Sequence, residues 1–166
     1  MKLSTLTLDQ AWEMKAGDEC CILIAHAIGE VVEIGASDDI HVHDELLARG
    51  GSVVVVYADG SRQVQRLRPS SSWIVENGRR VFFDAIIPWC PDTDANAAIE
   101  AFLSFVKNLD IEWIDWEIGP AWDYSQEKRR PCFRANVGWS SSENGFAPAF
   151  PLALCRAILV RHVEAQ

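Results

Sequence analysis

Two stretches of this 166-residue chain gather side chains that could do chemistry. The first is Asp38-Asp39-Ile40-His41-Val42-His43-Asp44-Glu45. If extended, it would turn His41 and His43 to one side of the chain, where neighbouring carboxylates could complete a hard or borderline metal shell. Zinc sites recruit a distant further ligand, and only His26 and His162 remain as histidine candidates, so the plainer reading is an exposed acidic loop with solvated histidines. On that reading Asp38, Asp39, Asp44 and Glu45 form a secondary acidic surface, no metal is expected, and protonation of the histidines makes the loop pH-sensitive. The second stretch interleaves Asp110, Glu112, Asp115, Glu117 and Asp123 with Trp113, Trp116, Trp122 and Tyr124. Paired carboxylates beside aromatic rings suit glycoside hydrolysis, in which an acid and its partner flank a sugar. Strand carboxylates two residues apart on an exposed face more commonly meet solvent or a partner, and Trp and Tyr are the usual anchors of protein interfaces. This stretch is therefore expected to be a partner-binding surface.

Other chemistries find less support. No glycine-rich phosphate loop, nucleophile elbow, H-E-x-x-H or kinase signature occurs. The five cysteines, Cys20, Cys21, Cys90, Cys132 and Cys155, include no C-x-x-C pair, so reduced thiols are expected rather than a disulfide framework or a zinc knuckle. The expectation is a non-enzymatic protein with no cofactor. Arg62, Arg66 and Arg68 share one strand face, either as a phosphate-contacting stripe or as partners for the chain's own acids. Lys128, Arg129 and Arg130 form a second basic cluster. A net charge of −9 weighs against direct nucleic-acid binding, which needs a positive footprint.

The charge is unevenly spread. Residues 1–45 hold ten acids against Lys2 and Lys15, and residues 46–91 hold three acids against six arginines. Residues 92–127 hold nine acids against Lys107, and residues 128–166 hold two acids against six basic residues. Either each half pairs its own blocks and leaves a solvated acidic surface, or an acidic face steers toward a basic partner. With 49% apolar residues the chain can bury a core. Its apolar runs fall short of the roughly 20 residues that cross a bilayer, and no apolar stretch follows Lys2, so neither a membrane anchor nor a secretory signal is expected.

The elements that would position these groups are mixed. A short helix is expected from Asp9 to about Met14, capped by Asp9, with Leu8, Ala11 and Trp12 inward and Gly17-Asp18 as its end. The segments ECCILIAHA, IGEVVEIGA, SVVVVYADG, SRQVQRLRPS and SWIVENG-RRVFFDAII read as short strands, with Asp59-Gly60 as a hairpin turn. Such a series suggests a small antiparallel barrel. PWCPDTDA, with Pro88 and Pro91, marks a boundary, so the expected domains are residues 1–88 and 92–166. In the second, a helix places Ala95, Ala98, Ile99, Phe102, Val106 and Leu109 on one face, with Asp92, Thr93 and Asp94 as caps. Strands IEWIDWEI and CFRANVGW follow, the latter with Phe133, Ala135, Val137 and Trp139 on its apolar side. PLALCRAILV closes the chain as a helix with Pro151 in its first turn and Leu152, Cys155, Ile158 and Leu159 inward.

Two resemblances rest on these residues. Gly17-Asp18, Gly29-Glu30-Val31-Val32 and VVVVYADGSRQVQRLRP resemble the SH3-like barrels of KOW- and Tudor-type modules over residues 16–75, apart from the insert DDIHVHDELLARGG. The helix, strands and helix of the last part, closing on Phe150-Pro151-Leu152-Ala153-Leu154-Cys155-Arg156-Ala157-Ile158-Leu159, are similar to the phage ABA sandwich domain family. Together they imply an α+β fold in which an N-terminal SH3-like antiparallel β-barrel packs against a C-terminal helix–sheet unit of ABA-sandwich type. The second implies a phage protein of the host cytoplasm and brings no catalytic residues. With the charge pattern, the expected function is that of a non-enzymatic accessory protein that binds and inhibits a host machine through an acidic, Trp-bearing surface. The expected partner is a host protein with a basic, nucleic-acid-binding surface; mimicry of DNA against CRISPR-type defence is the leading example. The alternatives are a small-molecule or nucleotide sponge, with Trp rings on a base and Arg129 and Arg130 on phosphate, and a self-associating morphogenesis module.

Overall fold

The computed structural model describes the backbone of residues 2–76, 78–109, 116–123, 130–137 and 144–166. Their side chains are described too, except within 68–76, 79–84, 116–123, 130–134, 136–137 and 144–146. In chain order the helices and strands are α1 (Leu8–Trp12), α2 (Asp18–Ile28), β1 (Val31–Gly35), α3 (Asp44–Ala48), β2 (Ser52–Val56), β3 (Arg62–Glu76), β4 (Arg79–Pro88), α4 (Ala95–Asn108), β5 (Trp116–Asp123), β6 (Arg130–Val137), β7 (Asn144–Ala147) and α5 (Phe150–Glu164). Short 3-10 turns span Leu3–Thr5 and Ile40–His43. The fold is mixed α+β, in two compact units: Gly29–Trp89, and a discontinuous unit of Met1–Ile28 with Cys90–Gln166. The sequence boundary near Pro88 and Pro91 groups the leading helix with the strands instead; in the structure α1 and α2 pack on α5.

In the Gly29–Trp89 unit the sheet order is β1-β2-β3-β4. β1 and β2 are parallel, from Val31 opposite Ser52 to Gly35 opposite Val56, whereas β2–β3 and β3–β4 are antiparallel. This open mixed sheet replaces the expected antiparallel barrel. The reason lies in the insert DDIHVHDELLARGG: a parallel pair needs a crossover of about a dozen residues or more, and the 3-10 turn and α3 provide it. Leu46 and Leu47 on α3 pack over Val53 and Val55, flanked by Val32, Ile34, Ile40, Leu67 and Ile86. Val54 and its cross-strand neighbour Val64 are buried as well, so SVVVV is a strand covered on both faces, which is why it reads as a continuous apolar run. The Asp59-Gly60 hairpin forms as expected. Gly60 takes φ +84°, and the Asp59 carboxylate accepts from the Ser61 hydroxyl at 2.6 Å and the Ser61 N–H at 2.9 Å.

The discontinuous unit is organised around α5, which packs against β6, β7, α1, α2 and α4. Leu152, Cys155, Ile158 and Leu159 are buried as expected, and so are Ala153, Leu154, Ala157 and Val160, so the helix is enclosed nearly all round. Pro151 sits in the first turn, where its missing N–H has no partner to lose. β5, β6 and β7 form an antiparallel sheet.

Three expectations are corrected here. ECCILIAHA is not a strand but lies within α2, with Cys20 through Ala25 buried; Asp18 and Glu19 in its first turn favour the positive end of the helix dipole. α1 is capped not by Asp9 but by Thr7, in a reciprocal capping box with Gln10; Ala11 is buried, while Leu8 and Trp12 are 37% and 40% exposed. In α4, Asp94 is the cap, accepting from the N–H of Asn96. Its buried stripe is Ala97, Ala98, Ala101, Phe102 and Phe105, leaving Ile99 and Leu103 exposed. The inward face thus mixes three alanines with Phe102 and Phe105, and the face bearing Ile99 and Leu103 turns outward.

Candidate partner-binding surfaces

The acidic crossover of the Gly29–Trp89 unit begins after β1 with a tight return. The Asp38 carboxylate accepts the Gly35 N–H at 2.7 Å, and Asp39 caps the 3-10 turn by accepting the His41 N–H at 3.0 Å. Asp44 and Glu45 then occupy the first turn of α3, where negative charge suits the helix dipole. His41 Nδ1 lies 3.3 Å from Asp44 Oδ1, both side chains being largely exposed. The segment is thus helical rather than extended, so His41 and His43 do not share a strand face as a metal pair would require. Among the described residues no group of three or more His, Cys, Asp or Glu side chains is placed to hold a metal ion. Asp38, Asp39, Asp44 and Glu45 are all exposed. None of them meets a lysine or arginine among the described residues; their polar partners are backbone N–H groups and His41.

Neighbouring acids behave differently. Glu30 pairs with Arg49 and Glu33 with Arg62, each at 3.3 Å. Arg66, expected on a phosphate-contacting stripe, is 4% exposed; its Nη2 donates to the Gly50 carbonyl at 2.6 Å and its guanidinium lies 4.8 Å from the centroid of the Trp89 ring. Arg62 and Arg66 are therefore internal partners, and the side chain of Arg68 lies outside the described residues. Arg66 shares strand parity with the buried Val64, whereas Arg62, of the same parity, stays half-exposed at the strand's start.

Of the Trp-bearing acidic stretch, Asp110, Glu112, Trp113, Asp115 and Tyr124 lie outside the described residues. Trp116, Glu117, Trp122 and Asp123 fall on β5, of which the backbone is described. Trp116 and Trp122 occupy one parity of the strand and Glu117 and Asp123 the other, and the register sets Asp123 opposite Arg130. Arg129, offered for phosphate, is also outside the described residues.

No family model, curated protein or solved structure matches the chain.

One carboxylate that sequence reasoning placed only as a cap has a different role. Asp92 is 3% exposed, and it accepts the Gly17 N–H at 2.6 Å and the Cys21 thiol at 3.0 Å. It thus holds the start of α2 from 75 residues away. Gly17 has φ +142°, a backbone state that L side chains rarely adopt. The Cys155 thiol donates to the Pro91 carbonyl at 3.2 Å. Burial, reinforced by Asp92, pushes the Cys21 thiol far up, and burial likewise raises Cys90 and Cys155. These thiols stay protonated at neutral pH and pack as small apolar groups. No helix among the described residues is long and apolar enough to cross a membrane.

Proposed function

We propose that the chain is a non-enzymatic phage accessory protein that binds and inhibits a host machine, acting in the host cytoplasm on a partner with a basic, nucleic-acid-binding surface. CRISPR-type defence is the leading example of such a partner. The observation that carries this reading is the set of exposed carboxylates at 38–45, which meet no lysine or arginine among the described residues, in a chain of net charge −9. Unscreened negative charge on one surface steers association with a positive one and makes it salt-dependent.

The resemblance of the closing helix to the phage ABA sandwich domain supports the phage origin. Its residues Leu152 through Cys155 and Ala157 through Leu159 are buried, so that motif speaks for a core and leaves the function to the surface. The SH3-like likeness carries no weight here, because the strands form an open mixed sheet.

The test is capture of partners from host lysate by the tagged chain at low and high salt. The expected result is a partner retained at low salt, released at high salt, and lost on combined Asp115→Lys and Glu117→Lys or combined Asp38→Lys and Asp39→Lys substitution. A complex indifferent to salt and to both pairs of charge reversals overturns the reading.

A further inference from the structure

The crossover covers its sheet only in part. α3 has five residues, about 7.5 Å of helix at 1.5 Å per residue, whereas four strands spaced about 4.8 Å apart are roughly 14 Å across. Leu46 and Leu47 press onto β2, and the side chains farther across the sheet, Leu67 on β3 and Ile86 on β4, remain only half-buried. An open groove of about 620 Å³ results. It is lined by Gln65 and Leu67 of β3, Ile86 of β4, and Ile40, His41, Asp44 and Ala48 of the crossover, so Leu67 and Ile86 give its sheet side an apolar floor beside the amide of Gln65. This volume falls within the range of ligand pockets, roughly 300 to 1,000 Å³.

Floor and rim ask for different chemistry in one occupant. The floor gains from covering by apolar side chains. The rim is acidic: Asp44 stands in solvent with His41 as its only side-chain partner among the described residues, Asp38, Asp39 and Glu45 belong to the same crossover, and no lysine or arginine is among the described residues that line the groove. A bare cation would leave Leu67 and Ile86 uncovered, and a purely apolar segment would leave Asp44 without a counter-charge. We infer that the groove docks a partner segment in which an arginine or lysine stands beside an aliphatic or aromatic side chain, the cation meeting Asp44 and the apolar group lying on Leu67 and Ile86. The inference rests on the reading that an acidic face meets a basic protein, and it assigns that meeting to one place.

A library of short random peptides selected on the full chain tests it. Enriched sequences are expected to set Arg or Lys next to Leu, Ile, Phe or Tyr. In fluorescence anisotropy, Asp44→Lys, which reverses the rim charge, and Ala48→Arg, which sets a bulky cation in the groove, both at exposed positions, are each expected to weaken such a peptide about tenfold or more, as like charges brought together across an interface do. Replacing the peptide's cation by Glu probes the same contact without altering the protein, and is expected to abolish binding. No enrichment, enrichment of acidic or wholly polar peptides, or full retention by both variants overturns the groove assignment. A simple aliphatic amine that competes as well as the peptides overturns a peptide as the occupant. Salt-sensitive lysate capture that survives Ala48→Arg leaves the broader reading standing and removes the groove. Peptide binding without any lysate partner does the reverse.

Discussion

Asp92 in the discontinuous unit and the carboxylates of residues 38–45 in the Gly29–Trp89 unit are the same chemistry in opposite surroundings. Asp92 is buried, and both its oxygens accept hydrogen bonds from residues more than 70 positions earlier, Gly17 and Cys21. Asp38, Asp39 and Asp44 stand in solvent and bond to groups two or three residues away. Water can replace the partners of the exposed acids at little cost, but it reaches the buried Cys21 thiol poorly and the part-buried Gly17 contact only in part if their acceptor is removed. The contribution of a carboxylate to the fold is thus set by the accessibility of its partners, and the acids that matter least to stability are the ones left available to another molecule.

The sharpest break of this contrast is Asp92→Ala. It leaves a part-buried N–H and a buried thiol without their charged acceptor and is expected to cost about 3 kcal/mol in urea unfolding, the upper end for losing hydrogen bonds to a charged group. Asp92→Asn keeps an acceptor oxygen and should lose less. A cost below about 1 kcal/mol for the alanine variant, the size of an ordinary hydrogen bond, would show that Asp92 does not hold the start of α2.

The crossover has its own sensitive point, which is steric rather than electrostatic. At Gly51 an added Cβ would overlap the Leu46 side chain and lie 2.9 Å from the Leu46 carbonyl. Gly51→Ala is expected to cost about 2 kcal/mol, as overpacking does, and to disturb the seating of α3 that the groove depends on. Unchanged stability and unchanged peptide binding in this variant would mean that the turn yields freely.

A pH test is smaller in effect. Burial lowers His162 from its ordinary value of 6.5, because the fold disfavours the imidazolium. Above about pH 7.5 the ring is neutral in both states and this contribution to stability is full. As pH falls through about 6.5, the unfolded chain takes up the proton first and stability declines. Melting temperature is expected to drop between about pH 7.5 and 5.5, and His162→Asn should flatten that part of the curve; an unchanged slope would assign the drop elsewhere. The smallest expected effect on stability is Glu45→Gln, within about 0.5 kcal/mol as for other exposed positions. In contrast with Asp92→Asn, it should still reduce the salt dependence of partner binding, and it breaks the comparison if it destabilises the fold as much.

Much of the local structure was legible. The caps offered by Asp92, Thr93 and Asp94 before an alanine-rich period of three and four specified α4, though not which of the three caps it; Asp59-Gly60 between β-branched runs specified the β2–β3 turn, and Pro151 before an apolar stretch specified α5. Local signals sufficed there because caps, turns and the first-turn tolerance of proline act within a few residues. The site was legible in part: the acids of 38–45 were found as an exposed cluster, but their helical setting and the groove beside them were not.

By itself the sequence determined which segments are apolar enough to be buried and where the chain must turn. Only the tertiary structure decided that Asp18–Ile28 is a helix, that β1 runs parallel to β2, which face of α4 turns inward, and that Asp92 and Arg66 are buried. A continuous apolar run carries no period to separate a buried helix from a buried strand. The direction of strand pairing and the partner of a buried charge are settled by groups distant in the chain, and only folding brings those groups together.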